Sequence, residues 1–250
     1  MEYIVSIIMP TFNSKLTIVD TLRSVFDQSI TDWELIITDD CSIDGTYELL
    51  SKISINEPRI KLFANGVNSG AAVSRNNSLS KAKGKFIAFL DSDDLWLPNK
   101  LEEQVTFMGD NIDFSFTAYE LISDEGKKLN INVDTHQVSP LGYQDMLKKK
   151  ATLGCSTVIL RRAVFPDLTM PLLRTGQDYA LWLKILKLDV KAVPYNKVLT
   201  QYRIMPGSIS RNKFKKSLRQ WEIYRRVEGL GVIYSCWCFS FYAWRAVFRK

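Results

Sequence analysis

Four short apolar runs rich in β-forming residues recur early in the chain, and their starts lie 25 to 30 residues apart. The segments between them, 16–26, 44–53 and 71–82, have the apolar spacing or the Ser, Asp and Gly starts that are typical of helices. Strand and helix alternating at this spacing predict βαβ units, and therefore a parallel sheet with helices on both faces. The four runs are residues 5–9, 35–38, 60–64 and 86–90.

The middle of the chain is less regular, and its pattern predicts shorter elements. These are strands at 114–117 and 157–160, a polar loop with a short helix over 123–150, and helices that start near Pro98 and at Asp178.

The tail, residues 206–250, is basic and aromatic. Residues 197–250 hold 12 Lys or Arg and two Glu, a net charge of +10, whereas the rest of the chain carries −4. An amphipathic helix precedes a charge-free run of 16 residues, 229–244, which is shorter than the about 20 residues of a bilayer span. This pattern predicts a tail that lies on an anionic membrane surface. The alternative is packing on the main domain or on a second subunit. The predicted apolar helix face comprises Phe214, Leu218, Trp221 and Tyr224.

Length and composition are those of one globular domain with an appendage: 250 residues, 46% hydrophobic and 24% charged. We divide the chain into a main domain at 1–205, with halves at about 1–98 and 99–205, and the tail. The four cysteines lack metal-site spacing, which predicts free thiols in a reducing compartment. Met1-Glu2-Tyr3 leads directly into the first predicted strand, so we expect no secretory signal and a cytoplasmic location.

The acidic sequence Asp91-Ser92-Asp93-Asp94 directly follows the fourth apolar run. Carboxylates this close repel one another and resist losing water. Oxygen-rich clusters of this kind hold Mg²⁺ or Mn²⁺, usually together with substrate phosphates. Asp91 and Asp93 lie two residues apart, so an extended backbone would point both carboxylates the same way. The alternative is a charged turn that caps the helix near Pro98.

Polar residues also follow the first two runs and begin the helix at 178. Pro10-Thr11-Phe12-Asn13 follows the first run, and Asp39-Asp40 follows the second. Ligands of parallel sheets bind beyond the carboxyl ends of the strands, so we expect these groups to share one site with the acidic sequence. Asp178 is a third acidic position. Helix capping is the alternative role for Asp39, Asp40 and Asp178.

In their order and spacing these segments resemble the family 2 glycosyltransferases, which are inverting nucleotide-sugar enzymes with the GT-A fold. The resemblance covers about residues 4–205 and extends to bacterial teichuronic acid, O-antigen and capsule enzymes. It implies an α/β, Rossmann-like, mostly parallel sheet flanked by helices, followed here by the helical tail. The matching motifs are VSIIMPTFN at 5–13, TDDCSIDGT at 38–46, NSGAAVSRN at 68–76, the DxD element at 91–94 followed by Leu-Trp-x-Pro, and Gln177-Asp178 with Trp182.

The resemblance also implies roles for individual residues. Asp40 would hold the nucleotide base, and Asp39 would lie at the ribose. Asp93 would coordinate Mn²⁺ or Mg²⁺ with help from Asp91, and Asp178 would be the general base. Tyr202-Arg203 and residues 208–211 are similar to the segment that closes over donor and acceptor, where the family often has a histidine and this chain has none. The predicted nucleotide-sugar contacts are Pro10, Thr11, Phe12, Asn13, Asp39, Asp40, Arg75, Asp91, Ser92 and Arg203.

The function that the resemblance implies is transfer of a sugar from a UDP donor, with inversion, to a lipid-linked polyprenyl-diphosphate saccharide at the inner face of the cell membrane. A nucleotidyltransferase or sugar-nucleotide hydrolase would keep the fold, but the chain has no Gly-rich activating loop of the nucleotidyltransferase type. A basic-tailed nucleic-acid binder would suit the +10 tail. The acidic positions on the main domain argue against it, and we expect no nucleic-acid partner.

Overall fold

One mixed sheet of nine strands forms the centre of the computed structural model, which describes residues 4–205 and 213–248. The first part of the chain alternates strand and helix, as its apolar pattern predicts. Its elements are β1 (Val5–Thr11), α1 (Ile18–Phe26), β2 (Trp33–Asp39), α2 (Thr46–Asn56), β3 (Ile60–Ala64), α3 (Ala71–Leu79), β4 (Phe86–Phe89), β5 (Leu95–Trp96) and α4 (Lys100–Met108).

The second part of the chain adds strands at the other side of the sheet and the tail helices. Its elements are β6 (Phe114–Ile122), β7 (Lys128–Val133), α5 (Tyr143–Leu147), β8 (Val158–Arg161), α6 (Gln177–Leu186), β9 (Ala192–Arg203), α7 (Lys213–Glu222) and α8 (Val232–Phe248).

The strand order is β3-β2-β1-β4-β8-β6-β9-β5, with β7 paired to β6. Strands β1 to β4 are parallel to their neighbours within that group, and β6 is parallel to β9. Strands β8 and β5 run antiparallel to the strands beside them. The predicted mostly parallel sheet with flanking helices is therefore confirmed. Because β1 pairs with both β2 and β4, the carboxyl ends of these three strands open at one edge.

Alternate residues of β1 face the two sides of the sheet, and both sides are buried. Val5, Ile7 and Met9 join the core cluster that contains α1, whereas Ile8 joins the cluster that contains α6. A parallel strand covered on both faces needs apolar side chains at successive positions. This burial explains why the strands around the site appear in the sequence as continuous apolar runs.

Three strands, β5, β7 and β9, are not predicted by the sequence pattern. The short helix expected within 123–150 is confirmed as α5, but the loop prediction is wrong for Lys128–Val133, which forms β7. The side chains of β7 are mostly exposed, so no apolar run marks this strand, and pairing with β6 holds it. Strand β9 carries Pro194, Asn196 and Lys197 among its apolar positions, which hides its alternation.

The tail packs against the main domain through one of its sides. A π-helical turn, Ile223–Val227, joins α7 to the segment before α8. Ile223, Tyr224 and Cys238 are buried in the core cluster that contains α6. The Tyr224 hydroxyl donates a hydrogen bond to the carbonyl of Leu147, the last residue of α5. The packing alternative therefore applies to this side of the tail.

The other side of the tail leaves large apolar side chains at the surface. Leu218, predicted on the apolar face of α7, is 56% exposed. In residues 4–205 and 213–248, none of the helices combines the length and the apolar character that crossing a bilayer requires. The expected surface-lying position of the tail stays a prediction. The exposed apolar side chains of α8 are Val232, Ile233, Trp237 and Trp244.

Candidate active site

A cavity of about 200 Å³ opens at the carboxyl ends of β1, β2 and β4, beside the start of α3. The fold thus gathers most of the predicted nucleotide-sugar residues around one space. Ala71 and Ser74 also line it and are not predicted from the sequence, although both fall inside the NSGAAVSRN motif. Asn13, Asp39 and Arg203 are not among its lining residues. The lining consists of Pro10, Thr11, Phe12, Asp40, Ala71, Ser74, Arg75, Asp91, Ser92 and Asp93.

The loops after β1 and β2 are fastened to each other by Asn13, Asp39 and Ser42. The Asp39 carboxylate accepts hydrogen bonds from the Ser42 N–H at 2.9 Å and the Ser42 hydroxyl at 2.6 Å. The Asn13 N–H donates to Ser42 Oγ at 2.8 Å, and Asn13 Oδ1 accepts from the Ile43 N–H at 2.9 Å. Asp39 and Asn13 therefore shape the edge of the cavity, and their direct contact with a nucleotide stays a prediction.

Asp40 joins the end of β2 to the start of α3. Its buried carboxylate accepts hydrogen bonds from Asn65 Nδ2 at 2.7 Å, the Ser69 N–H at 2.8 Å and the Gly70 N–H at 2.7 Å. Gly70 has a φ of 88°, a conformation that favours glycine over residues with a Cβ. The Asp40 side chain thus fixes the loop before α3, the helix that carries Arg75, while it also lines the cavity.

Arg75 is a buried cation at the wall of this cavity. Its Nη2 forms an ion pair with the Asp91 carboxylate. Its Nε and Nη1 are buried without a hydrogen-bond partner among the described residues. Burial by itself lowers the pKa of Arg75, but the negative charges of the Asp91 and Asp178 carboxylates raise it above its ordinary value. A buried, permanently charged guanidinium with unused donors is suited to bind an anion.

The acidic turn after β4 is built into the floor of the site. Burial first, and then the charge of Asp91, raise the pKa of Asp93 to about 6. Asp94 is fully buried, accepts from the Ser156 hydroxyl at 2.5 Å and from the Arg203 N–H at 3.0 Å, and burial raises its pKa well above its usual value. Ser156 Oγ also accepts from the Asp91 N–H at 3.1 Å. Ser156 thus supports the turn from a position that no local motif of the sequence identifies.

The donor set suits a hard divalent cation. Across the described residues, no three His, Cys, Asp or Glu side chains already form a complete metal site. Mg²⁺, however, is commonly held by one or two protein carboxylates together with substrate phosphates and water. Asp93 and Asp91 supply such oxygens. Burial first, and then the charge of Asp91, disfavour the ionised form of Asp93, and a bound cation would offset both effects. The residues present therefore fit the group that the DxD element predicts.

Asp178 lies in the first turn of α6, which begins after Gly176 in the left-handed conformation. The helix is fixed by Trp182, whose Nε1 donates to the Leu153 carbonyl at 3.2 Å and whose ring packs against Phe89 of β4. The Asp178 charge contributes to the raised pKa of Arg75, so this carboxylate acts electrostatically on the same site. Asp178 is not one of the cavity-lining residues.

Arg203 holds the backbone of the acidic turn, residues 91–94, in place. Its Nε donates to the Asp93 carbonyl at 2.8 Å, and its Nη1 donates to the Asp124 carbonyl at 2.7 Å. The guanidinium is almost completely buried. These bonds give Arg203 a positioning role. Its direct contact with the nucleotide sugar stays a prediction. Residues 208–211, predicted to close over the substrates, lie outside the described residues.

The chain is similar to proteins of one family over most of its length. The family model described as Glycosyl transferase family 2 matches residues 6–169. The chain is 42% identical to the putative teichuronic acid biosynthesis glycosyltransferase TuaG of Bacillus subtilis (strain 168), over 99% of this chain and 97% of that protein. It is 40% identical to the UDP-Glc:alpha-D-GlcNAc-diphosphoundecaprenol beta-1,3-glucosyltransferase WfgD of Escherichia coli, over 89% of this chain and 85% of that protein. The crystal structure of S. aureus TarS in complex with UDP-GlcNAc shares the fold, with a TM-score of 0.73 and 23% identity over 88% of this chain and 64% of that one.

Proposed function

Because this chain belongs to glycosyl transferase family 2, we propose that it is an inverting, divalent-metal-dependent enzyme that uses a UDP-sugar. The acceptor is a hydroxyl of a lipid-linked glycan, and the product serves the synthesis of a bacterial surface polysaccharide. The relatives TuaG and WfgD support the polysaccharide role by their names. The WfgD name supports UDP-glucose as donor and a GlcNAc-diphospholipid as acceptor.

One observation carries the proposal: a buried arginine with two unpartnered nitrogens lies among carboxylates at the edge of the parallel strands. The UDP diphosphate would accept hydrogen bonds from Arg75 Nε and Nη1. Asp40, with Pro10-Thr11-Phe12-Asn13, would hold the base, and Asp39 would lie towards the ribose. This arrangement accounts for a buried cation that no other part of the described chain satisfies completely.

Asp93, assisted by Asp91, would hold Mn²⁺ or Mg²⁺. Ser92, between them, would contact the nucleotide sugar. When bound, such an ion offsets the negative charge that develops on the diphosphate leaving group. Arg75 contributes a fixed positive charge to the same group, and its ion pair with Asp91 holds the guanidinium in place. Arg203 and Ser156 keep the backbone of the acidic turn in position.

Asp178 would accept the proton of the acceptor hydroxyl as that oxygen attacks the anomeric carbon. In this mechanism Asp178 acts only as a base, and the acceptor oxygen is the nucleophile. A single displacement inverts the configuration at the anomeric carbon, by the logic that separates inverting from retaining glycosidases. An α-linked UDP-sugar would therefore give a β-linked product.

The full chain is expected to transfer glucose from UDP-glucose to GlcNAc α-linked through a diphosphate to an alkyl chain, and only with Mn²⁺ or Mg²⁺ present. Radiolabelled donor and product separation measure the transfer, and a panel of other nucleotide sugars checks donor choice. Release of free sugar without acceptor labelling would instead indicate a hydrolase. Unchanged transfer in excess chelator would contradict the metal dependence.

The tail would bring the enzyme to the inner face of the cell membrane, where a lipid-linked acceptor is found. Helix α8 has 17 residues, about 25 Å of length at 1.5 Å per residue, which is less than the about 30 Å of a bilayer's hydrocarbon core. One side of α8 carries exposed apolar residues, of which Trp237 is 55% and Trp244 is 63% exposed. Aromatic side chains together with Lys and Arg are typical of helices that lie in an anionic membrane surface.

Trp237→Ser with Trp244→Ser is expected to reduce binding to phosphatidylglycerol-containing vesicles at least about tenfold, because two interfacial aromatic anchors are lost. Vesicle sedimentation at physiological salt measures this. The matched control is Ile55→Ser with Val138→Ser, which are 79% and 76% exposed outside the tail. Vesicle binding equal to that of the control would exclude this face of α8 from the membrane contact. Point variants are preferable to truncation at about residue 212, because the tail also supplies core side chains.

A further inference from the structure

A second cavity, of about 360 Å³, separates the segment before α6 from helix α7. Three of its side chains are cationic and one is acidic. The acidic one, Glu222, is already paired with Arg219 at 2.6 Å and with Arg226 at 3.9 Å. The cavity therefore has a net positive charge. Its lining residues are Arg174, Thr175, Lys215, Leu218, Arg219 and Glu222.

Residues of this cavity contact the segment that begins α6, the helix that carries Asp178. Arg219 Nε donates to Thr175 Oγ1 at 3.3 Å. A Cβ placed on Gly176 would lie 3.1 Å from Ile223 Cδ1 and 3.7 Å from Arg219 Cγ, so the tail presses closely on the residue that begins α6. Thr175 precedes Asp178 by three residues, which span at most about 11 Å. An anion bound beside Thr175 would thus lie near the start of α6, the helix that carries Asp178.

The groups present are those that bind a phosphate. Arg219 has five N–H donors, and its bonds to Thr175 and Glu222 use two of them within the described chain. Arg174 and Lys215 are exposed cations at the same opening. Leu218 adds an exposed apolar side chain to this wall, so the cavity offers both cationic donors and an apolar surface.

We propose that this cavity binds the diphosphate of the lipid-linked acceptor, with Arg174, Lys215 and Arg219 as its ligands and Leu218 against the start of the lipid. The inference rests on the proposed function, because it assigns the acceptor of that same reaction. An acceptor with one sugar between its hydroxyl and its diphosphate would reach Asp178 at one end and the cavity at the other. The UDP diphosphate would already occupy the donor cavity and would repel a second diphosphate, so the acceptor diphosphate is held elsewhere.

The test compares two probes that differ only in the diphosphate. One is GlcNAc α-linked through a diphosphate to a short alkyl chain, and the other is the corresponding alkyl α-glycoside. Arg174→Gln with Lys215→Gln should raise KM and the calorimetric Kd for the first probe at least about tenfold, because charge-assisted hydrogen bonds are lost. KM for the glycoside and the affinity for UDP should not change. The control, Lys52→Gln with Lys191→Gln, removes two charges from exposed positions outside both cavities.

The outcomes separate this inference from the proposed function. Equal losses on both probes, or no change on the diphosphate probe, would overturn the cavity assignment while transfer by the wild type still supported the proposed function. A wild-type chain that binds the diphosphate probe through these two residues, yet transfers no sugar, would support the cavity and contradict the transferase proposal. Absence of binding to the diphosphate probe by the wild type would overturn the cavity assignment directly.

Discussion

Asp178→Asn is expected to lower kcat for sugar transfer about a thousandfold, the scale that a positioned general base supplies. The amide keeps the size of the side chain in the first turn of α6 but cannot accept the proton of the attacking hydroxyl. The affinity for the UDP-sugar should remain that of the wild type, because Asp178 does not line the donor cavity. Steady-state transfer kinetics and calorimetric titration with UDP give the two quantities.

Asp167→Asn is the matched control for this change. Asp167 is half-exposed and pairs with Lys184 of α6 at 2.5 Å, and exposed pairs of this kind contribute about 0–1 kcal/mol. The control should therefore transfer sugar at the wild-type rate. If Asp178→Asn also transferred at that rate, the base would have to be another group, and the single-displacement mechanism would lose its proton acceptor.

Asp93→Asn is expected to abolish the metal-dependent stabilisation of the protein by UDP. At a free ligand concentration a hundred times Kd, binding stabilises a folded protein by about 2.7 kcal/mol, and the variant should lose most of this. Thermal unfolding with UDP, with and without MnCl₂, measures the difference. If UDP raised the Tm of the Asp93→Asn variant as much as that of the wild type, and only with MnCl₂ present, Asp93 would not be a metal ligand.

The same variant should be more stable than the wild type when no ligand is present. The pKa of Asp93 is raised to about 6 in the folded chain, from an ordinary value of 3.8. A carboxyl with a raised pKa favours the fold in its protonated form, so that contribution is present at low pH and is lost as the pH rises from about 4 to 6. Near neutral pH, Asn removes this penalty, and Tm without ligand should rise while the UDP-dependent shift disappears.

Asp91→Asn provides the contrast. Asp91 is the partly exposed ion-pair partner of buried Arg75, and leaving a buried charge without its partner costs up to about 3–5 kcal/mol. This variant should therefore lose stability without ligand, opposite in sign to Asp93→Asn. Equal effects of the two changes would mean that the neighbouring carboxylates do not have the separate roles assigned to them.

The sequence indicates the strands around the site well, because each is buried on both faces and its apolar run is continuous. Because the carboxyl ends of parallel strands meet at one edge, the sequence also indicates that the acidic and polar residues ending those runs lie close together. The fold and the family follow from these segments. Strands β7 and β9 escape prediction because their side chains are largely polar or exposed, and what fixes them is pairing with β6.

The residues that hold the site in position are much harder to predict from the sequence than the residues that line it. Ser156 contacts the acidic turn from 65 and 62 residues away, and Arg203 from 110. These are tertiary contacts without a local pattern. Asp39 and Asn13 have the residue types of nucleotide ligands, yet their hydrogen bonds in the loops are also those of caps and turns. Composition alone does not separate the two roles.

The burial of Ile223, Tyr224 and Cys238 with α6 has a consequence for the order in which the polypeptide folds during synthesis. The helix that carries Asp178 leaves the ribosome before the residues that cover part of its apolar surface. Until the tail emerges, that surface has no intramolecular cover, and exposed apolar surface of this kind favours aggregation and chaperone binding. Strands β1 to β4 can pair early in translation, but the side of the sheet that carries α6 reaches its final packing only once the tail has been made.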